Sequence, residues 1–185
     1  MAESSVEPLA TRGGTPAPVV TQLALKFGVG VGLVCVLWMV ALQLTGNNGF
    51  GPKQLLAQLL VPLVAVASEW KLRRQLKPQK PGLGRSLGVG VLTVMLAAAV
   101  SAVGVLGLAA GAGEKAVARH RAEVKEIVQA QQREAAKQGV SVAMRQQQLQ
   151  QVEGLTVGGM ASSNFLQVLV LGLVLAVPAG IFLRE

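Results

Sequence analysis

The sequence predicts an all-α, polytopic integral membrane protein with four transmembrane helices and an extramembrane helical hairpin between the third and fourth. Three observations predict it. Residues 86–113 carry no charge at all, and that run exceeds the roughly 20 apolar residues needed to cross a ~30 Å hydrocarbon layer. Hydrophobic residues make up 51% of the chain and charged ones 14%, where soluble domains carry about 25% charge. The basic residues also gather beside apolar runs, the pattern that fixes how a membrane protein is oriented.

Taken in order, residues 1–20 hold three prolines, two glycines and scattered polar groups, and are expected to form a disordered cytoplasmic tail. Two glutamates and one arginine precede the first apolar run, unlike the short basic opening of a signal peptide. The first transmembrane helix is expected over 21–44. Lys26 stands at its edge, Gly28 and Gly32 form a GxxxG pair, and Trp38 sits toward the far end as an interfacial aromatic. The run TGNNGFGP at 45–52 then stops it.

A second helix is expected over 53–70. Its apolar stretch between Lys53 and Glu69 is short, about 22 Å at 1.5 Å per residue, so a full span and a re-entrant segment both remain open. Gln54, Gln58 and Pro62 share a face there, either as a polar lining or as groups satisfied by a neighbouring helix. The connector 71–85 follows. Lys71, Arg73, Arg74, Lys77, Lys80 and Arg85 oppose only Glu69, which places this loop in the cytoplasm and suits anionic lipid headgroups.

The third helix, 86–113, carries small residues at helical spacing. Gly90, Thr93, Ala97, Ser101, Gly104 and Gly111 form a face for close helix packing, with Leu92, Met95, Leu96 and Leu106 on the other flank. Residues 114–161 are expected to form an extracytoplasmic hairpin. Val117, Val124, Val128 and Ala135 make a thin apolar stripe on its first helix, which stops at Gly139. Ser141 caps a second helix that stops at Gly154. The glycines at 107, 111 and 113 mark a bend between membrane span and hairpin. The last span, 163–183, is entered through Ser162, Ser163 and Asn164 and contains Gln167 and Pro178. Four spans with a cytoplasmic connector place both termini in the cytoplasm of a bacterial inner membrane.

The chemistry is sparse. Cys35 is the only cysteine and His120 the only histidine, so no internal disulfide and no histidine-based metal site is expected. The residues offer no nucleophile beside a base, no phosphate loop and no cofactor motif, and the glycines at 28–32 lie inside an apolar span. Lys26, Lys53, Glu69 and Arg85 all fall at predicted span edges, so no charge is expected at mid-depth. The net charge of +8 does not indicate nucleic acid, because aromatics are only 3% and do not interleave with the basic residues. The expected partners are the lipid bilayer and either a second copy or another membrane protein. The leading expectation is a non-enzymatic scaffold or interaction protein acting through its hairpin or its small-residue faces. The alternative is an oligomeric transporter or channel for ions or small solutes, with Gln54, Gln58, Thr93 and Ser101 lining the path.

The order of features resembles a bacterial family of small four-helix membrane proteins, the domain of unknown function 4199, found mostly among Bacteroidetes. Leu25-Lys26-Phe27-Gly28 opens the first helix, the basic stretch 71–80 follows, and Gly82-Leu83-Gly84 leads toward Gly90. A polar helical insert then precedes the last span. The resemblance covers about residues 22–184. Leu83 stands where the family commonly has an aromatic, Arg85 where it has an acid or amide, and tyrosine is absent. The resemblance implies a four-helix membrane architecture and no activity.

Overall fold

The computed structural model describes residues 17–137 and 141–184, and the described residues contain helices and loops but no strand. The helices are α1 (Ala17–Leu44), α2 (Leu55–Gln58), α3 (Leu60–Leu76), α4 (Leu83–Lys137), α5 (Val142–Glu153) and α6 (Val157–Phe182). A single 3-10 turn, Pro52–Gln54, leads into α2. Four segments are long and apolar enough to cross a membrane: 19–44, 52–76, the first half of α4, and α6. The protein is an all-α polytopic membrane protein.

α4 is the hub. It packs against α1, α3 and α6, and α3 also packs against α1 and α6. The core has three levels. Leu23, Ala24, Leu72 and Val89 fill the end near the 71–85 connector. Val31, Val61, Ala65, Val94, Ala97 and Val168 form the middle. Met39, Phe50, Val105, Leu108, Val117 and Met160 close the hairpin end. Large apolar residues such as Leu37, Leu63, Val103 and Val170 point outward, as expected where the surrounding solvent is lipid.

Several boundaries differ from the sequence reading. Residues 1–16 and 138–140, which include the proposed stop at Gly139, lie outside the described residues. α1 begins at Ala17, so residues 17–20 of the expected tail are helical. The second span runs from Pro52 to Leu76 and is long enough to cross. Its helix is interrupted at Leu59, because Pro62 has no N–H to give the carbonyl of Gln58 and the ladder fails there. Residues 71–76 of the expected connector are therefore helical, and Lys71, Arg73 and Arg74 sit on α3.

α4 runs from Leu83 through the membrane and on to Lys137, with one non-helical residue, Gly113 at φ 75° and ψ 175°. A side chain rarely adopts that φ, so the bend falls on glycine. α5 is capped at its start by Ser141, whose Oγ accepts from Met144 N at 3.4 Å, and at its end by Gly154. α6 starts at Val157, six residues before the expected 163, because the Thr156 side chain accepts from Gly159 N at 3.0 Å and forms the cap. Asn164 therefore lies inside α6, where it is buried.

Candidate functional site

Close approach of α4 to its neighbours follows from small residues. Gly90, Thr93, Ala97, Ser101 and Gly104 all face the interior. A Cβ on Gly28 would lie 2.6 Å from Thr93 O, and one on Gly32 would lie 2.7 Å from Val100 Cβ, so α1 meets α4 backbone to backbone. Gly104 takes the Val36 side chain in the same way. Two members of the sequence reading depart from it. Gly111 is exposed with open space beside it, because it borders a surface cavity between α4 and the end of α1 at Gln43 and Leu44 rather than touching α1 directly. Leu96, assigned to the outer flank, is half-buried against Gly28, because α1 approaches from that side. Gly172 against Val94 and Gly180 against Leu87 do the same work on α6. They were missed because α6 is uniformly apolar; Asn164, Val168, Gly172, Ala176 and Gly180 repeat every fourth residue, and that stripe was the available signal.

The interior polar groups form two separate sets. At the hairpin end, Ser101 Oγ donates to Asn164 Oδ1 at 2.8 Å and Asn164 Nδ2 donates to Gln54 Oε1 at 3.1 Å. Gln54 Nε2 passes the chain on to Phe50 O at 3.2 Å. The dipoles run in one direction, so each bond strengthens the next. Gln58 is also buried, with neither its oxygen nor its nitrogen partnered. The face carrying Gln54, Gln58 and Pro62 thus points into the chain's own bundle. At the connector end, Thr93 Oγ1 lies 2.7 Å from Val89 O and 3.1 Å from Ser68 Oγ, and Ser68 Oγ donates to Ala65 O at 2.6 Å.

Glu69, expected at a span edge, is buried inside the bundle instead. It is 0% exposed, both carboxyl oxygens lack a partner, and a Cβ on Gly90 would overlap its Oε1. Ser86, one turn before Gly90, has a buried and unpartnered Oγ as well. The sequence placed Glu69 at a span edge because Trp70 and the basic run follow it. The helix continues to Leu72 and beyond on the same face as Val61 and Ala65, all buried. That register was the missed signal.

The basic connector residues behave differently from Glu69. Lys71, Arg74, Lys77, Lys80 and Arg85 are exposed and Arg73 is half-buried. Arg74 lies 4.8 Å from the Trp70 ring centroid, and Lys71 5.9 Å from that of Phe27. With Glu69 withdrawn into the bundle, no acid remains in this loop to oppose them. Gly82 N donates to Arg184 O at 3.2 Å and ties the end of α6 to the start of α4.

Beyond Gly113 the hairpin is braced by the loop after α1. Asn48 Nδ2 donates to Glu123 Oε2 at 2.6 Å and lies 3.0 Å from His120 Nδ1. Arg119 donates to Gly46 O at 3.0 Å and pairs with Glu123 at 3.1 Å. Burial pushes His120 below its usual range against the opposing charge of Glu123. Glu123 is held below the usual carboxylate range, first by the Asn48 hydrogen bond and then by Arg119. A cavity of about 120 Å³ beside this brace is lined by His120, Gln54, Asn164, Gln167 and Ser163. Lys125 and Glu153 pair at 2.8 Å and join α4 to α5.

The site therefore combines a tightly packed bundle, a braced hairpin and a buried carboxyl. No curated protein and no solved structure matches the chain. A family model described as protein of unknown function (DUF4199) matches residues 26–185, a stretch that takes in most of the first span, the other three spans and the hairpin. The chain belongs to the DUF4199 family.

Proposed function

We propose that this is a non-enzymatic interaction protein of a bacterial inner membrane, anchored by its bundle and engaging another protein chain through the hairpin. Parity from the basic connector puts both termini in the cytoplasm and the hairpin outside it. The observation that carries the reading is the uneven cover of the hairpin. α4 extends about 36 Å beyond Gly113 at helical rise, and α5 folds back along one side only. Ile127, Val142 and Met144 remain exposed on it, and a thin, polar helix of this kind is marginal without a partner.

Gln54, Thr93 and Ser101 make their hydrogen bonds within the chain, which favours this reading over a channel lined by those residues in several copies. The test is to replace residues 129–150 with a short flexible bridge, keeping the Lys125–Glu153 pair. Membrane insertion should persist, while cross-links formed from Ile127 or its neighbours and any larger oligomeric mass should vanish. Unchanged mass and unchanged cross-linked products would move the interaction to the membrane helices.

A further inference from the structure

We propose that Glu69 is a proton-binding site of the membrane bundle, exchanging its proton with the compartment on the connector side. A bare carboxylate without water, hydrogen bond or counter-ion is strongly disfavoured in a low-dielectric interior. Glu69 is in that position, with no exposure and no partner for either oxygen.

The ionisable groups on the surrounding elements do not neutralise it. Lys26 on α1, Lys53 before α2, Arg85 on α4 and Arg184 after α6 are all exposed, and Cys35 lies in the middle core layer. On its own helix, Lys71 and Arg74 lie over the Phe27 and Trp70 rings, and Arg73 forms no ion pair with it. A metal cation with its ring of oxygen ligands does not fit either, since the carboxyl lies against Gly90 so closely that a methyl group there would overlap it. A proton is the cation that remains. It adds to one oxygen without needing space and removes the charge.

The route is one-sided. Ser86 lies one turn from Gly90 toward the connector, and its buried Oγ has no partner. Gly84 and Arg85 beside it are exposed. In the other direction Ala65, Val94 and Ala97, each 0% exposed, separate Glu69 from the polar set around Ser101. The hydroxyls of Ser68 and Thr93 are within hydrogen-bond distance of the backbone carbonyls of Ala65 and Val89. The exit of the proton therefore lies on the Ser86 and connector side, because an apolar layer blocks the other way.

The test uses the full-length protein in lipid nanodiscs and dicyclohexylcarbodiimide, an apolar reagent that takes up a carboxylic acid across its C=N bond and rearranges to a stable N-acylurea. Peptide mapping should place the adduct on Glu69, with labelling that declines as pH rises. Glu69→Gln should carry no adduct there, and at pH 7, where exposed carboxyls are ionised, its infrared spectrum should lack the carbonyl band of a protonated acid that wild type shows. The wild-type pH profile stands without the variant, should the variant fail to fold. Protection by Na⁺ or K⁺ at fixed pH would assign the site to a metal cation and overturn the proposal. Absence of the protonated-acid band from wild type at pH 7, or labelling that does not vary with pH, would overturn it too.

Discussion

Two glycines one helical turn apart on α1 and a third between them provide a controlled comparison. Gly32→Ala adds a Cβ that would stand 2.7 Å from Val100 Cβ and 3.2 Å from Ala97 O. Carbon contacts are comfortable at about 3.5–4.0 Å, so α1 and α4 must part locally by close to 1 Å or strain their side chains. Overpacking of that kind costs roughly 1–3 kcal/mol. Gly30→Ala makes the same chemical change two residues away, where nothing lies within 4 Å. Both substitutions gain the same helix-propensity term of about 0.8–1.0 kcal/mol, so it cancels in their difference. Gly30→Ala should be neutral or stabilising, and Gly32→Ala should fall below it by about 1–3 kcal/mol. Gly28→Ala, with a Cβ 2.6 Å from Thr93 O, should behave like Gly32→Ala. Reversible SDS unfolding in mixed micelles, followed by tryptophan fluorescence, measures all three. If the three variants unfold together, the close approach of α1 and α4 is not what holds the bundle.

Asn164→Ala should destabilise by about 1 kcal/mol, since two interhelical bonds of ~0.6 kcal/mol each are lost; a cycle with Ser101→Ala should recover about half of that as coupling. Acid should loosen the hairpin base in two stages. His120 is lowered in the folded state, so stability declines as pH falls below its unfolded value near 6.5; the lowered Glu123 contributes above its unfolded value near 4.3 and is lost as pH falls through the folded one. Amide hydrogen exchange of residues 114–125 against pH follows both stages, and Asn48→Ala should remove most of the second. Reporter fusions after Lys80 and after Lys137 should report opposite sides of the membrane, and the same side from both would break the four-span topology.

The central helix, the Ser141 cap and the Gly154 stop were legible because each depends on neighbours close in sequence. The small-residue face of α4 was legible too, since spacing at helical period needs no knowledge of the partner. Glu69 was not. Its depth depends on α3 continuing past Trp70, and its environment depends on Gly90, twenty-one residues away, having no side chain. The start of α6 was misplaced for a related reason. Ser162, Ser163 and Asn164 are good cap residues, but Thr156 reached Gly159 N first and the intervening glycines did not stop the helix.

Gly113 and the loop after α1 together form a lever. α4 bends at Gly113, where it leaves helical geometry, and its tip at Lys137 stands about 36 Å away. Glu123, where Asn48 grips the arm, lies only about 15 Å from the bend. A displacement of about 1 Å at that grip becomes ~2.4 Å at the tip, from the ratio of the two lengths. The loop therefore aims the hairpin with mechanical gain. A change of side-chain length at Asn48 should redirect the tip by more than it moves the loop.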